Sequence, residues 1–178
     1  VDDEAIERRC ISFILENSKY SLEIEEAENG QKAYERLQEK EFDILFSDVK
    51  MPFMDGLELA EKAVHLYSDI RVIIFSGFSE FEYAKRCMQF GVREYLLKPI
   101  DIREVKKVLG QNISEILEIR KKSIYQTFQK YMDETADGTE YVPEELERTG
   151  YGIVCCESGN IPKFMFECEE KNNYQSVK

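Results

Sequence analysis

This sequence has no long hydrophobic run: nothing in it approaches the roughly 18 apolar residues a helix needs to cross a bilayer. Its opening residues do not read as a signal peptide either, so no membrane role is expected and a cytoplasmic setting is. Histidine is scarce. His65 is the only one, and it falls among mixed neighbours in a predicted helix, where it reads as an ordinary helix residue rather than a ligand or base. The five cysteines, Cys10, Cys87, Cys155, Cys156 and Cys168, are odd in number and include no Cys-x-x-Cys pair. That argues against a disulfide framework or a structural zinc site and for a reducing compartment. Positive charge is also in deficit. A net charge of −12 excludes broad attraction of this chain to nucleic acid phosphates.

What is present is organised around Phe42-Asp-Ile-Leu-Phe-Ser-Asp-Val-Lys-Met-Pro-Phe-Met-Asp-Gly56. Phe42 to Phe46 is a short apolar run of the kind a strand buried on both faces shows. It is followed by Asp48, a loop with Pro52 and the Asp55-Gly56 turn signal, and then Leu57, Leu59, Ala60, Ala63 and Val64 at helical spacing. Before it, an acidic start at Asp2-Asp3-Glu4 leads into a helix (Ile6, Cys10, Phe13, Ile14), with Asp2 or Asp3 as its N-cap. A weak alternating strand (Leu22, Ile24, Ala27) and a helix through Ala33, Tyr34 and Leu37 come next. After it, Arg71–Gly77 is a second apolar strand, Ser79 or Glu80 opens a helix through Phe81, Ala84 and Met88 to Gly91, and Glu94–Leu97 is a last strand before Pro99. A helical pattern starts near Asp101 and runs on to Met132 through Ile102, Val105, Leu109, Ile113, Leu117, Ile124, Phe128 and Tyr131, interrupted at Arg120. Strands alternating with crossover helices predict an α/β fold, a doubly wound parallel sheet with helices on both faces. The acidic strand-to-helix junction at the very start implies that most of a first strand is missing. The tail holds a helical start at Pro143, a strand at Tyr151–Cys156, a turn at Ser158-Gly-Asn160 and a strand at Phe164–Cys168, an incomplete α+β unit.

In such a sheet the working groups come from the carboxyl ends of the strands. Here those ends supply Asp2, Asp3, Asp48, Ser76-Gly77 and Lys98. Carboxylates crowded at one rim repel each other, and a hard cation such as Mg²⁺, which takes a few carboxylates and keeps positions for water and phosphate oxygens, would stabilise them. Lys98 adds positive charge suited to a phosphoryl group, and Ser76 can donate a hydrogen bond to one of its oxygens. Asp48 is the candidate nucleophile, able to attack phosphorus and form an acyl phosphate.

Val-Asp-Asp-Glu at 1–4, Ser-Asp-Val-Lys-Met-Pro-Phe-Met-Asp-Gly at 47–56, Phe-Ser-Gly at 75–77 and Tyr-Leu-Leu-Lys-Pro-Ile at 95–100 together resemble the receiver domain of bacterial two-component response regulators. The wording of 75–85 is most similar to the YesN/AraC-type subgroup. The resemblance implies a flavodoxin-like receiver over 1–112, a helical linker over 113–138 and the start of a further domain over 139–178. It implies that Asp48 accepts a phosphoryl group from a histidine kinase and that Asp2, Asp3, Asp48 and the backbone carbonyl of Lys50 hold Mg²⁺. It implies also that Lys98 contacts the phosphoryl group, that Ser76 and Tyr95 form a switch pair, and that Lys98-Pro99 is a candidate cis bond. Homodimerisation would use the fourth helix, last strand, fifth helix and linker. DNA would be reached only through an output domain absent from this chain, since no helix-turn-helix pattern occurs before Lys178. The chain is then a switch rather than an enzyme that turns over. A dehalogenase-like phosphatase would need a second carboxylate two residues after the nucleophile, where Lys50 stands. A flavodoxin-type cofactor binder would need a phosphate loop where Asp2-Asp3-Glu4 stands. A receiver with a vestigial site, serving only as an interaction module, is argued against by the complete set of acids, hydroxyl and lysine.

Overall fold

The computed structural model describes residues 1–77 and 92–127 in full and the backbone of 128–134, 151–156 and 163–168. The helix expected from Ser79 or Glu80 to Gly91, with Cys87 in it, lies outside the described residues, as do the helical start at Pro143 and the turn at 158–160. The chain forms two compact units, Val1–Ile116 and Leu117–Lys178.

In the first unit, helices α1 (Ala5–Glu16) and α2 (Gly30–Glu39) precede strand β1 (Ile44–Asp48), helix α3 (Gly56–Leu66), strand β2 (Arg71–Ser76), strand β3 (Glu94–Leu97) and helix α4 (Ile102–Glu134), which continues into the second unit. The strands form a parallel sheet in the order β1-β2-β3. Parallel strands need crossovers long enough to hold a helix, and α3 supplies one between β1 and β2. β2 is buried at every position, and its alternate side chains feed two cores. Val72 and Ile74 join Leu45, Leu57, Ala60, Ala63, Ala33 and Leu37 on the face that α2 and α3 cover. Ile73 and Phe75 join Ile14, Leu96, Val105 and Val108 on the face that α1 and α4 cover. Each fully buried isoleucine in this strand contributes about 1.5–3 kcal/mol of hydrophobic stabilisation.

Local signals set several boundaries. Asn29 and Asp55 cap α2 and α3 by accepting from the N–H groups of Lys32 and Glu58, the role expected of short polar side chains before a helix. Asp101 accepts from the N–H of Arg103 at the start of α4 at 2.8 Å.

Two regions depart from expectation, and the first is α1. Neither Asp2 nor Asp3 is the N-cap of α1; Glu4 is, without a side-chain bond. Of the expected pattern Ile6, Cys10, Phe13 and Ile14, only Ile14 is buried: Ile6 and Phe13 are 83% and 63% exposed, and Leu15 is buried instead, with Ile11 packed beside it. Ile11, Ile14 and Leu15 fit a 3.6-residue period as well as the expected set does, and the position of the sheet selects between them.

The second region is Leu22–Ala27, which forms no strand. Its side chains alternate in burial from Leu22 to Glu25, but the phase breaks at Glu26, which is exposed before buried Ala27, and a strand also needs a ladder. Ala27 packs into the core with Leu45 and Val72, and the backbone link of the segment to the sheet runs through the first two residues. The Val1 ammonium donates to the carbonyl of Phe46 at 2.6 Å, Asp48 N–H donates to Val1 O at 2.9 Å, and Asp2 N–H donates to Ala27 O at 3.3 Å. Two residues hold the edges of β1 and segment 22–27 together at one end only. Ion pairs of Glu23 and Glu25 with Lys40, and of Glu25 with Arg36, secure the segment against α2.

In the second unit, Tyr151–Cys156 and Lys163–Cys168 (β4 and β5) pair antiparallel. Along α4, among the residues whose side chains are described, Val105, Val108, Leu109 and Asn112 are buried, whereas Leu117, Ile119 and Tyr125 are exposed. Among the described residues no helix is long and apolar enough to cross a membrane.

Candidate functional site

Asp48 closes β1, and the turn after it is built around its backbone. Val49 N–H donates to Phe75 O at 3.0 Å, and Gly56 N–H donates back to Val49 O at 2.8 Å. That return brings Gly56 so close that a Cβ there would stand 1.9 Å from the carbonyl oxygen of Asp48, so only glycine fits. At the tip of the loop, Phe53 takes a left-handed φ of 68° and is 89% exposed.

β3 delivers Lys98 to the same rim. Lys98 N–H extends the ladder to Ser76 O at 2.8 Å, and the Lys98–Pro99 bond is cis. The Lys98 ammonium meets Asp2 Oδ2 at 3.0 Å and Asp48 Oδ1 at 3.2 Å, and it also pairs with Glu7 of α1. Burial pulls this ammonium down, but its bonds to Glu7 and Asp2 and the charge of Asp48 outweigh that and hold it above the ordinary lysine value. Burial pushes the Asp48 carboxyl the other way, above the ordinary aspartate value. The charge of Lys98 opposes this, and that of Asp2 adds to it.

Asp2, Asp3 and Asp48 each bring a carboxylate oxygen within 4.8 Å of the others'. Asp2 is buried and held on both sides: its Oδ1 accepts from Glu4 N–H at 2.8 Å and its carbonyl from Arg8 Nη1 at 2.7 Å. Asp3 is exposed. It lines a cleft of about 450 Å³ with Val49, Lys50, Met51, Pro52 and Asp55. Three hard oxygen donors, one of them open to solvent beside a cleft, fit a small divalent cation. A larger cleft of about 850 Å³, lined by residues including Tyr20, Lys106 and Gly110, lies away from these carboxylates. Of the two clefts, only the smaller is lined by a member of the carboxylate trio, Asp3.

Ser76 is buried and ends β2, in register with Leu97; Tyr95 is in register with Ile74. Ser76 and Tyr95 therefore share one face of adjacent strands as diagonal neighbours. Tyr95 is half-buried against the α2/α3-side core. Thus Asp2, Asp3, Asp48 and Lys98 meet at one point, while Ser76 ends β2 and Tyr95 lies toward the start of β3, diagonal to it. The sequence reading missed Glu7, whose only signal was its place in the first turn after the acidic pair.

A model of the response regulator receiver domain matches residues 1–110. The chain belongs to the response regulator receiver domain family. The receiver is 42% identical over 116 residues to the transcriptional regulatory protein YesN of Bacillus subtilis (strain 168), an alignment covering 65% of this chain and 32% of that one. It is 34% identical over 118 residues to the transcriptional regulatory protein HptR of Staphylococcus aureus (strain NCTC 8325 / PS 47), covering 66% and 46%. The chain thus spans a third to a half of the length of these curated relatives. Among solved structures, it is similar to a two-component transcriptional regulator AraC of Clostridium phytofermentans (32% identity, TM-score 0.58, covering 68% of this chain and 94% of that one). It is also similar to the receiver domain of AraT, a response regulator of Geobacillus stearothermophilus (31%, TM-score 0.58, covering 67% and 93%). These receivers share the flavodoxin-like doubly wound fold expected for the first 112 residues.

Proposed function

We propose that this receiver is a phosphorylation-controlled switch in which Asp48 accepts a phosphoryl group from a partner histidine kinase. The observation that carries the reading is the meeting of Asp48 with Asp2, Asp3 and Lys98, with Lys98 Nζ 3.2 Å from Asp48 Oδ1. Asp2, Asp3, Asp48 and the carbonyl of Lys50 would hold Mg²⁺, which when bound neutralises carboxylate charge and polarises the phosphoryl oxygens. An Asp48 oxygen attacks phosphorus in line, forming an O–P bond. The P–N bond of the donor phosphohistidine breaks, and its electron pair stays on the imidazole, which takes a proton from water. Lys98 supplies positive charge to the phosphoryl oxygens as they gain contact with the protein.

Steady turnover is not part of this reading, because a lysine at position 50 offers no carboxyl two residues after the nucleophile to protonate a leaving group. Ser76 donates its hydroxyl to the phosphoryl group, and Tyr95, its diagonal neighbour, turns toward the space this vacates. The surface formed by β3 and α4 changes shape in response and governs pairing of two copies, continued along the linker helix. The relatives' names as transcriptional regulatory proteins support a role in transcription control; in this reading the switch acts in the cytoplasm and reaches DNA through an output domain outside the residues given. Incubation with radiolabelled acetyl phosphate and Mg²⁺ tests the assignment. Label should enter the wild-type chain and not the Asp48→Ala variant, and equal labelling of both would overturn it.

A further inference from the structure

Lys98 has three carboxylate partners, and only two of them have a further task in the proposed chemistry. Asp2 and Asp48 belong to the convergent trio. Their side chains are 9% and 12% exposed, so neither can turn into water at low cost. Glu7 stands apart. It projects from the first turn of α1, lies outside that trio, and its side chain is 31% exposed. A cation held by Asp2 and Asp48 would relieve their demand on Lys98, which leaves Glu7 as the negative group still competing for it.

We propose that Glu7 is a positioning residue that holds Lys98 in the resting receiver and must release it when Asp48 is phosphorylated. This rests on Asp48 being the phosphoacceptor. The transfer itself forms the Asp48 O–P bond and breaks the donor's P–O or P–N bond, whose electron pair leaves with the donor. Glu7 neither gains nor loses a bond to phosphorus. Its part is electrostatic. Lys98 exchanges a carboxylate for a phosphoryl oxygen, and Glu7 swings toward solvent, away from the incoming negative charge. Glu7 thus opposes phosphorylation and sets how much donor is needed to fill the site.

The test compares the full chain with its Glu7→Gln and Glu7→Asp variants, labelled by acetyl phosphate with Mg²⁺. The affinity of each for beryllofluoride, a phosphoryl mimic, is measured in parallel by NMR, together with the ¹⁵N signal of the Lys98 ammonium. Gln keeps the shape and removes the charge. It should raise both the labelling rate and the mimic's affinity about three- to fivefold, and it should shift the Lys98 signal in the resting protein. Asp keeps the charge and should stay within about twofold of wild type. Rates and affinities for Gln equal to wild type would overturn the proposal. So would equal gains for Gln and Asp, which would trace the effect to side-chain length and not to charge. If the wild-type chain itself takes no label on Asp48 while the Lys98 signal still responds to Glu7→Gln, the phosphoacceptor reading fails and Glu7 is left as a structural partner only.

Discussion

The Lys98 ammonium donates to Asp2 Oδ2 at 3.0 Å across 96 residues of sequence, joining the start of the receiver to its last strand. Its side chain is only 16% exposed, and carboxylates surround it. Charges so shielded from water hold each other in place, and removing one leaves the rest uncompensated.

Lys98→Ala should therefore destabilise the first unit by about 1–3 kcal/mol, less than a fully buried pair because Asp48 can take up a proton and Glu7 can reach water. Millimolar Mg²⁺ should restore part of the loss by supplying the missing positive charge. Urea denaturation with and without Mg²⁺ reads both effects. A midpoint that the substitution leaves unmoved would show that the ammonium does not hold the rim together.

A second prediction separates two glycines near the site. A Cβ at Gly56 would sit 1.9 Å from Asp48 O and 3.1 Å from Ser47 Oγ, whereas one at Gly77 meets nothing within 4 Å. Gly56→Ala should cost about 2 kcal/mol or more, since backbone must move to admit it, and it should impair labelling of Asp48. Gly77→Ala should leave stability within about 0.5 kcal/mol. Thermal melts of the two variants side by side decide this, and equal losses would contradict the close approach.

The raised Asp48 carboxyl sets a pH dependence. Its folded value lies above the ordinary 3.8, so between that value and the folded one the folded state keeps a proton that the unfolded state has lost. Stability from this group consequently falls as pH rises through that window. Asp48 also ceases to be a nucleophile at a higher pH than an ordinary aspartate as acid is added. Mg²⁺ should reverse both trends by favouring the carboxylate. Carboxyl ¹³C titration of Asp48 should show a midpoint above 3.8 without the ion and a lower one with it; a midpoint that Mg²⁺ does not move would count against the ion's place beside Asp48.

How much of this the sequence foretold depends on which contacts a residue's place in an element determines. Asp48 and Lys98 could be placed because strand ends in a parallel sheet converge on one rim, whatever the loops do. Ser76 followed from the same logic, whereas Tyr95 was singled out only by the resemblance to receiver domains, and the strand register then sets it on the face that Ser76 shares. The exposed face of α1 could not be chosen from periodicity, because Ile6–Phe13 and Ile11–Leu15 both repeat at helical spacing, and only the sheet's position buries the second. Segment 22–27 alternates like a strand only as far as Glu25 and lacks a ladder, which its apolar pattern cannot reveal. Glu7 was invisible for another reason: its partner Lys98 follows β3, far along the chain, and nothing local distinguishes it from any acidic residue in a helix's first turn.

The central claim is chemical and concerns one side chain. After incubation with acetyl phosphate and Mg²⁺, borohydride reduction converts an aspartyl phosphate to homoserine, which mass spectrometry of the digested chain can place in the sequence. The account predicts homoserine at position 48, dependent on Mg²⁺ and abolished when donor is withheld. Homoserine at another aspartate, or at none in a folded chain with Mg²⁺ present, would contradict it.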